Sequence, residues 1–388
     1  MRTFAEDRQI LDLRVALLTN YLNPHRLPLV EQFASGIRRL RVFLSGSEDK
    51  VHGFQSMWNG LDVKVERSIR WHRHFGNVHG YEDASEIHLP YDVLLQLGRY
   101  HPDVILSGEL GGRTAQAVLY KMLFPRTKLV AWTALSEYTE ATRGRVRRAM
   151  RKEIVQHLDG VFVNGRSGER YMRSLGYDGP VFTVPYAIDR EPFFSDAYEP
   201  APEIRRLLYA GQLIPRKGVH TFCVALSRWC RDHSGIKVEF TILGDGPVSR
   251  QIRAIDVAPN LALRILPRVP QRELAAYYHA ADLYAFPTLG DEWGVVVNEA
   301  MLAGLPVLGS LRSEAVVELV RDGENGWTFF PDEECSIFAA VDRALTTNVG
   351  TLKAMSAQAK ATIAGMAPEA IAERVLYAIH SIVGVASN

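Results

Sequence analysis

The sequence predicts an α/β protein made of two doubly wound domains that face a central cleft. Three observations predict it. The chain has 388 residues, more than one ordinary domain at about 150 residues each. Short, continuous apolar runs alternate with amphipathic helical stretches from end to end, which is the pattern of parallel sheets covered on both faces. One proline-rich, acidic segment interrupts the rhythm near the middle, after which the same alternation restarts.

In the first half, strands are expected at Leu13–Thr19, Arg41–Ser45, Asp62–Glu66, Val104–Ser107, Lys128–Trp132, Gly160–Asn164 and Val181–Pro185. Helical periodicity covers Leu27–Arg39, Tyr91–Tyr100, Arg113–Phe124, Arg143–His157 and Ser167–Leu175. Ile188–Pro202, with prolines at 192, 200 and 202, reads as the linker. Beyond it come strands at Arg206–Ala210, Lys237–Leu243, Leu261–Leu266, Leu283–Phe286 and Pro306–Gly309. Helices are expected at Val219–Arg231, Glu273–His279 and Gly294–Ala303. The domains are therefore 1–190 and 203–367, joined by 188–202. Ligands of such sheets bind at the carboxyl ends of the strands.

Composition narrows the function. Hydrophobic residues at 47% and charged residues at 23% exclude disorder and fibrous structure. A net charge of +1 argues against a dedicated nucleic-acid binder. Residues 1–190 carry 27 basic and 21 acidic side chains, however, so the first half is distinctly cationic. Cys223, Cys230 and Cys335 form neither a disulfide framework nor a zinc spacing, and a reducing cytoplasm fits them. Met1–Asp12 is polar and does not read as a signal peptide. No run approaches the roughly 18 apolar residues of a membrane span.

The strongest chemical signal is Asp291–Ser310, DEWGVVVNEAMLAGLPVLGS. Glu292 and Glu299 stand two helical turns apart on one face, with about 10 Å of rise between them. Glu292 is expected at a helix start, where the amides of Trp293, Gly294 and Val295 favour an anion such as phosphate. Two carboxylates also accept bonds from sugar hydroxyls, so a ligand with an anionic middle and polyol ends suits the pair. A capping Glu with a solvated helical Glu is the other reading. The second signal is Tyr209–Gly218, YAGQLIPRKG: a strand ends at Gly211 and a short loop delivers Arg216 and Lys217 to a helix start. Lys217 suits a diphosphate leaving group, or is merely solvated. Ile242–Pro247, ILGDGP, lacks the third glycine of a dinucleotide fingerprint and reads as a turn.

Three further stretches carry weaker signals. Trp71–Phe75 and His79 form a His-rich, aromatic stretch expected in a loop over the cleft, and His72, His74 and His79 lack the carboxylate or cysteine of a metal set. Ser136 and Glu137 follow a strand and so stand where they could face the cleft. Arg143–Lys152, RGRVRRAMRK, carries six cations and no acid; on a helix Val146, Ala149 and Met150 share one face while Arg145, Arg148, Arg151 and Lys152 spread over the opposite one. That second face is expected to be either solvated or laid against an anionic membrane.

In this order, YAGQLIPRKG, ILGDGP, LPRVPQRELAAYYHAADLYAFPT (Leu266–Thr288) and EWGVVVNEAMLAGLPVLGS resemble family-4-type retaining glycosyltransferases of GT-B fold. The first half is similar more loosely, through TNYLNPHRLPLVEQFA, PDVILSGE and VPYAIDREPF. The resemblance implies two Rossmann-like domains, a donor site mainly in the second, and a final helix near Pro368–Val385 that crosses back to the first. It implies that Glu292, as first acid of the family's E-x₇-E motif, holds donor-sugar hydroxyls and that Glu299 holds the ribose. Lys217 would bind the diphosphate, with Gly211 and Arg216 beside it, and backbone near Val269 would meet the base. Two departures stand out: the family's arginine after the glycine is Gln212, and Leu106-Ser107-Gly108-Glu109 replaces a histidine pattern. Glu109 either orients the acceptor or reacting sugar, or caps a helix.

The expected activity is metal-independent, retaining transfer from a UDP- or GDP-sugar to a glycan or lipid-linked acceptor in surface-glycan or polysaccharide assembly. No cofactor is expected, and the protein would be cytoplasmic, with a peripheral membrane contact through Arg145, Arg148, Arg151 and Lys152. A nucleotide-sugar epimerase or hydrolase, or a non-catalytic nucleotide-sugar-binding subunit, is the alternative.

Overall fold

A computed structural model describes residues 10–384 except 24, 47, 50–53, 56–57, 59, 77–81 and 141–143. The chain divides into two compact units, one of residues 1–189 with 366–388 and one of residues 190–365.

Unit 1 opens with β1 (Leu11–Thr19), α1 (Leu27–Ser35), β2 (Ile37–Leu44), the short β3 (Glu48–Asp49) and β4 (Phe54–Gln55), then β5 (Asp62–Val65), β6 (Ser68–Gly76) and β7 (Glu82–Pro90). It continues through α2 (Val93–Tyr100), β8 (Val104–Ser107), α3 (Gly112–Leu123), β9 (Lys128–Trp132), α4 (Glu137–Glu140), α5 (Arg145–Val155), β10 (Gly160–Val163), α6 (Arg166–Ser174) and β11 (Val181–Thr183). Seven strands form one parallel sheet in the order β11-β10-β9-β8-β1-β2-β5, which reverses direction between β1 and β8. Alternate residues explain its two covered faces. Val15, Leu17, Val104, Leu106 and Val130 pack with α1 and the C-terminal helix, whose Ile371, Val375 and Ile379 are buried there. Ala16, Leu18, Ile105, Leu129 and Val161 pack with α2, α3, α5 and α6. A period of two with both faces apolar is what a buried parallel strand requires.

Unit 2 contains β12 (Ile204–Ala210), α7 (Val219–Asp232), β13 (Lys237–Leu243), α8 (Ser249–Arg253), β14 (Leu261–Leu266), α9 (Gln271–Ala280), β15 (Leu283–Phe286) and α10 (Val295–Leu302). It ends with β16 (Val307–Ser310), α11 (Glu314–Leu319), β17 (Gly326–Phe329), α12 (Glu334–Thr346) and α13 (Val349–Ile363); α14 (Pro368–Gly384) returns to unit 1. Its sheet is also parallel, β14-β13-β12-β15-β16-β17, reversing between β12 and β15. Trp229 is fully buried in the core, and its indole N–H donates to Asp342 at 2.9 Å. From Arg190 onward the proline-rich segment packs on this unit: the Tyr198 hydroxyl donates to the Asp282 carbonyl, and Phe193 meets the Tyr278 ring edge-on.

Three local expectations change. The first helix stops at Ser35, because Ile37 is drawn into β2 and pairs with Leu11. The His-rich stretch expected as a loop is mostly strand: β6 pairs antiparallel with β7, Arg70 opposite His88. His72 and His74 lie in β6, while His79 is outside the described residues. The helix expected from Gly294 begins at Val295.

Candidate functional site

In a doubly wound sheet the loops at the strand reversal diverge and leave a crevice at the carboxyl edge. In unit 2 those loops follow β12 and β15, and they carry the two strongest sequence signals. The β12 loop ends in a single 3-10 turn, Pro215–Lys217, closed by Gly218 at φ +65°. A Cβ on Gly218 would stand 2.1 Å from the Pro287 carbonyl oxygen, so only glycine lets the loops touch. The Leu289 amide donates to the Arg216 carbonyl at 2.7 Å, and an Arg216 guanidinium nitrogen donates to the Gly290 carbonyl at 2.9 Å. Lys217 ends between the rings and acids of the β15 loop, 5.5 Å from the Phe286 centroid.

The partner of Lys217 is Asp291. Its carboxylate pairs with the Lys217 ammonium, and Arg216 stands 3.8 Å from the same oxygen. Burial by itself would raise the Asp291 pKa, but Lys217 and Arg216 outweigh it and hold the group below the ordinary aspartate value. Asp291 corrects the sequence reading. Glu292 is separated from Glu299 by six residues, whereas Asp291 is separated by seven, so Asp291 occupies the first acidic place of an E-x₇-E spacing. Glu292 is half-buried in the loop three residues before α10 rather than at its first turn. The spacing was the signal that should have found Asp291.

The neighbouring expectations resolve as follows. Gly294 caps α10 at φ +104° and its missing Cβ would meet the Phe286 ring at 2.6 Å, which seats the helix start against β15. The side chain of Trp293 is buried, with its indole donating to Asn298 at 3.0 Å and its carbonyl accepting from Ser313, so the side chain is not open to a ligand. Glu299 is buried on α10 and accepts from the Tyr278 hydroxyl at 2.8 Å. Burial pushes its pKa up to about 7, and the Tyr278 bond opposes this. Gln212 is exposed at the end of β12; Gly211 donates its amide to the Leu243 carbonyl. Val269 lies past β14 on the same edge, beside Arg268, whose amide donates to Asp245.

Residues 204–347, which contain every one of these groups, match the family model described as Glycosyl transferases group 1. Over this stretch the chain is similar to group 1 glycosyl transferases. Its sequence is 34% identical over 139 residues to a glycogen synthase of Mycobacterium tuberculosis, a stretch covering 35% of this chain and 32% of that enzyme. The chain thus spans about a third of the length of that relative. A D-inositol 3-phosphate glycosyltransferase of Mycobacterium marinum is 24% identical over 298 residues, covering 72% of this chain and 61% of the relative. Among solved structures, Anabaena HepE in complex with UDP superposes with a TM-score of 0.70 at 15% identity, over 95% of this chain and all of that one. This likeness extends through both units and establishes the GT-B fold.

Outside the transferase domain, unit 1 reverses its sheet between β1 and β8, and Glu109 stands half-buried in the loop after β8. Its carbonyl accepts from Thr114, so its backbone does help to seat α3. Beside it lies a buried cluster that the sequence did not announce. Arg113 donates to Asn20 at 2.7 Å and to Ser45, and stands 3.6 Å from Glu66. Burial raises the Glu66 carboxyl to about 7 against the pull of Arg113. Ser136 is fully buried and bonded to Thr139, while Glu137 pairs with Arg170 at 2.7 Å.

The basic helix α5 is turned over relative to expectation. Arg151 points inward, 2% exposed, paired with Glu140 and donating to the Tyr171 hydroxyl at 2.7 Å. A guanidinium so satisfied serves the core, not a surface. Val146 and Met150 are exposed instead, beside Arg145, Arg148 and Lys152, because Ile154 and Val155 supply the apolar anchor. Arg143 is outside the described residues. Among the described residues no helix is long and apolar enough to cross a membrane.

Proposed function

We propose that this protein is a metal-independent, retaining glycosyltransferase that uses a UDP- or GDP-sugar. The observation that carries the proposal is the pairing of Lys217 and Arg216 with Asp291 at the switch point of the transferase domain. Two cations held at the carboxyl edge of a parallel sheet suit a diphosphate, and an adjacent half-buried acid suits sugar hydroxyls. The UDP bound in the Anabaena structure favours the same donor class.

In this reading Lys217 and Arg216 neutralise the departing diphosphate, aided by the amides of Gly294 and Val295 at the start of α10. Asp291 and Glu292 hold the donor sugar, Glu299 meets the ribose, and backbone near Gly211, Gln212 and Val269 frames the nucleotide. The bond from the sugar's C1 to the diphosphate breaks while a bond from C1 to the acceptor oxygen forms on the same face. The acceptor proton passes to the leaving diphosphate. Catalysis is thus positioning and electrostatics, with Glu109 of unit 1 orienting the acceptor hydroxyl.

The acceptor is a glycan or lipid-linked glycan of surface or polysaccharide assembly, met at the inner face of the cell membrane. The outer helical layer of unit 1 favours this. Its α3 packs against both α2 and α5. Across the three helices Leu95, Leu119, Met122, Val146 and Met150 are exposed, with Arg99, Arg145, Arg148 and Lys152 among them. Exposed apolar side chains mixed with cations suit an anionic interface. To test the function, UDP- and GDP-sugars are incubated with EDTA-treated protein, with and without membrane extract. Extract-dependent nucleotide release and retained anomeric configuration are expected. Release without extract would indicate a hydrolase, an isomerised donor an epimerase, and binding without turnover a non-catalytic subunit.

A further inference from the structure

A second polar site lies wholly within unit 1, apart from Glu109 and the Arg113 cluster. His25 and Arg26 immediately precede α1, Trp132 ends β9 and Thr133 follows it, Asn164 follows β10, and Tyr186 follows β11. All six line one cavity at the carboxyl edge of the seven-stranded sheet. The Arg26 guanidinium lies over the Trp132 indole, 4.5 Å from its centroid. No carboxylate among the described residues pairs with it, although nearly every other arginine of unit 1 lies on the surface or against an acid. Burial pulls the pKa of both His25 and Arg26 down, with Tyr186 alone opposing the shift at Arg26. The Thr133 hydroxyl, in a residue 1% exposed, has no hydrogen-bond partner. A half-buried cation with no carboxylate beside it and a buried donor left unmatched in the same cavity are unfavourable unless an anion completes them.

We propose that Arg26, His25 and Thr133 form a binding site for a phosphoryl group. The guanidinium offers two parallel donors, and the imidazole and hydroxyl add further donors. Donors on three side chains that line one cavity match the three terminal oxygens of a phosphate ester better than the two of a carboxylate. The indole fixes the guanidinium plane in advance, so little side-chain freedom is lost on binding. If unit 1 receives the acceptor, as the proposed function holds, the acceptor is phosphorylated and this site fixes its register. The anion site itself does not depend on that reading.

The test is calorimetric titration of the full chain with inorganic phosphate. Lys217→Ala separates this site from the cations of the transferase domain: that variant should bind phosphate through unit 1 as wild type does. Arg26→Gln should weaken phosphate at least tenfold. Thr133→Val, which keeps the shape and removes the partnerless hydroxyl, should weaken it severalfold while leaving the melting temperature equal or higher, a combination that a structural role would not produce. Competition then identifies the source of the phosphoryl group. Glycerol phosphate displacing inorganic phosphate marks a soluble acceptor, and phosphatidic acid vesicles displacing it marks a lipid headgroup; either supports the site when Arg26→Gln abolishes the effect. Unchanged affinity in Arg26→Gln, or loss of all phosphate binding in Lys217→Ala, would overturn it.

Discussion

Replacing Gly218 by alanine separates loop geometry from charge, because it alters neither Lys217 nor Asp291. At φ +65° a Cβ costs about 1–2 kcal/mol in backbone strain. The same Cβ would stand 2.1 Å from the Pro287 carbonyl, where real contacts stay beyond 3.0 Å, so the loops must part by about 0.9 Å. Such overpacking adds roughly 1–3 kcal/mol. The melting midpoint should therefore drop by roughly 5–15 °C, using 2–4 °C per kcal/mol for a unit of this size. Since Lys217 is the adjacent residue, a displacement near 1 Å should also lower turnover about 10²-fold in the folded fraction. Differential scanning calorimetry and nucleotide release at 20 °C measure the two effects. A variant that melts and turns over like wild type would refute the claim that this contact seats Lys217.

Other perturbations test other parts. Glu299 has a folded pKa near 7 against 4.5 unfolded, so its neutral form is favoured by folding; its contribution is fully present below pH 4.5 and is lost as the pH rises to 7, a change of about 3 kcal/mol. Glu299→Gln should accordingly be more stable than wild type at pH 8 but not at pH 4.5, and equal differences in urea midpoints at both pH values would contradict the buried, ionising carboxyl. Arg151→Gln strands Glu140 in the core and should destabilise by about 3–5 kcal/mol without changing vesicle binding. Leu119→Ser with Met122→Ser should leave the melting temperature within a degree or two and cut sedimentation with anionic vesicles severalfold, as should Arg145, Arg148 and Lys152 changed together to Gln; unaltered sedimentation in both would remove the helical layer from membrane contact.

What was legible in the sequence followed from local pattern. Both parallel sheets rest on short runs such as Val104–Ser107 and Leu283–Phe286, buried at every position, for which no long-range knowledge is needed. The Lys217 loop was legible because a strand, a glycine and two cations are contiguous. The face of α5 was not, since its orientation depends on Glu140 and Tyr171, which hold Arg151 from other elements. The hairpin of β6 and β7 escaped because Trp71–Phe75 alternates histidine, arginine and aromatic residues with no apolar run to announce a strand. Asp291 was lost to a one-residue slip in spacing. The Arg26 cavity had no local signal at all: its walls come from chain segments up to about 160 residues apart, and only the folded sheet edge collects them.

The central claim is that Lys217, on its loop after β12, grips a nucleotide diphosphate in the transferase domain. Calorimetric titration with UDP and GDP, wild type against Lys217→Ala, tests it most directly. At least one nucleotide should bind the wild type and lose tenfold or more in affinity in the variant, the equivalent of about 1.4 kcal/mol or more. Nucleotide binding with the same affinity in both proteins, or in neither, would contradict the account.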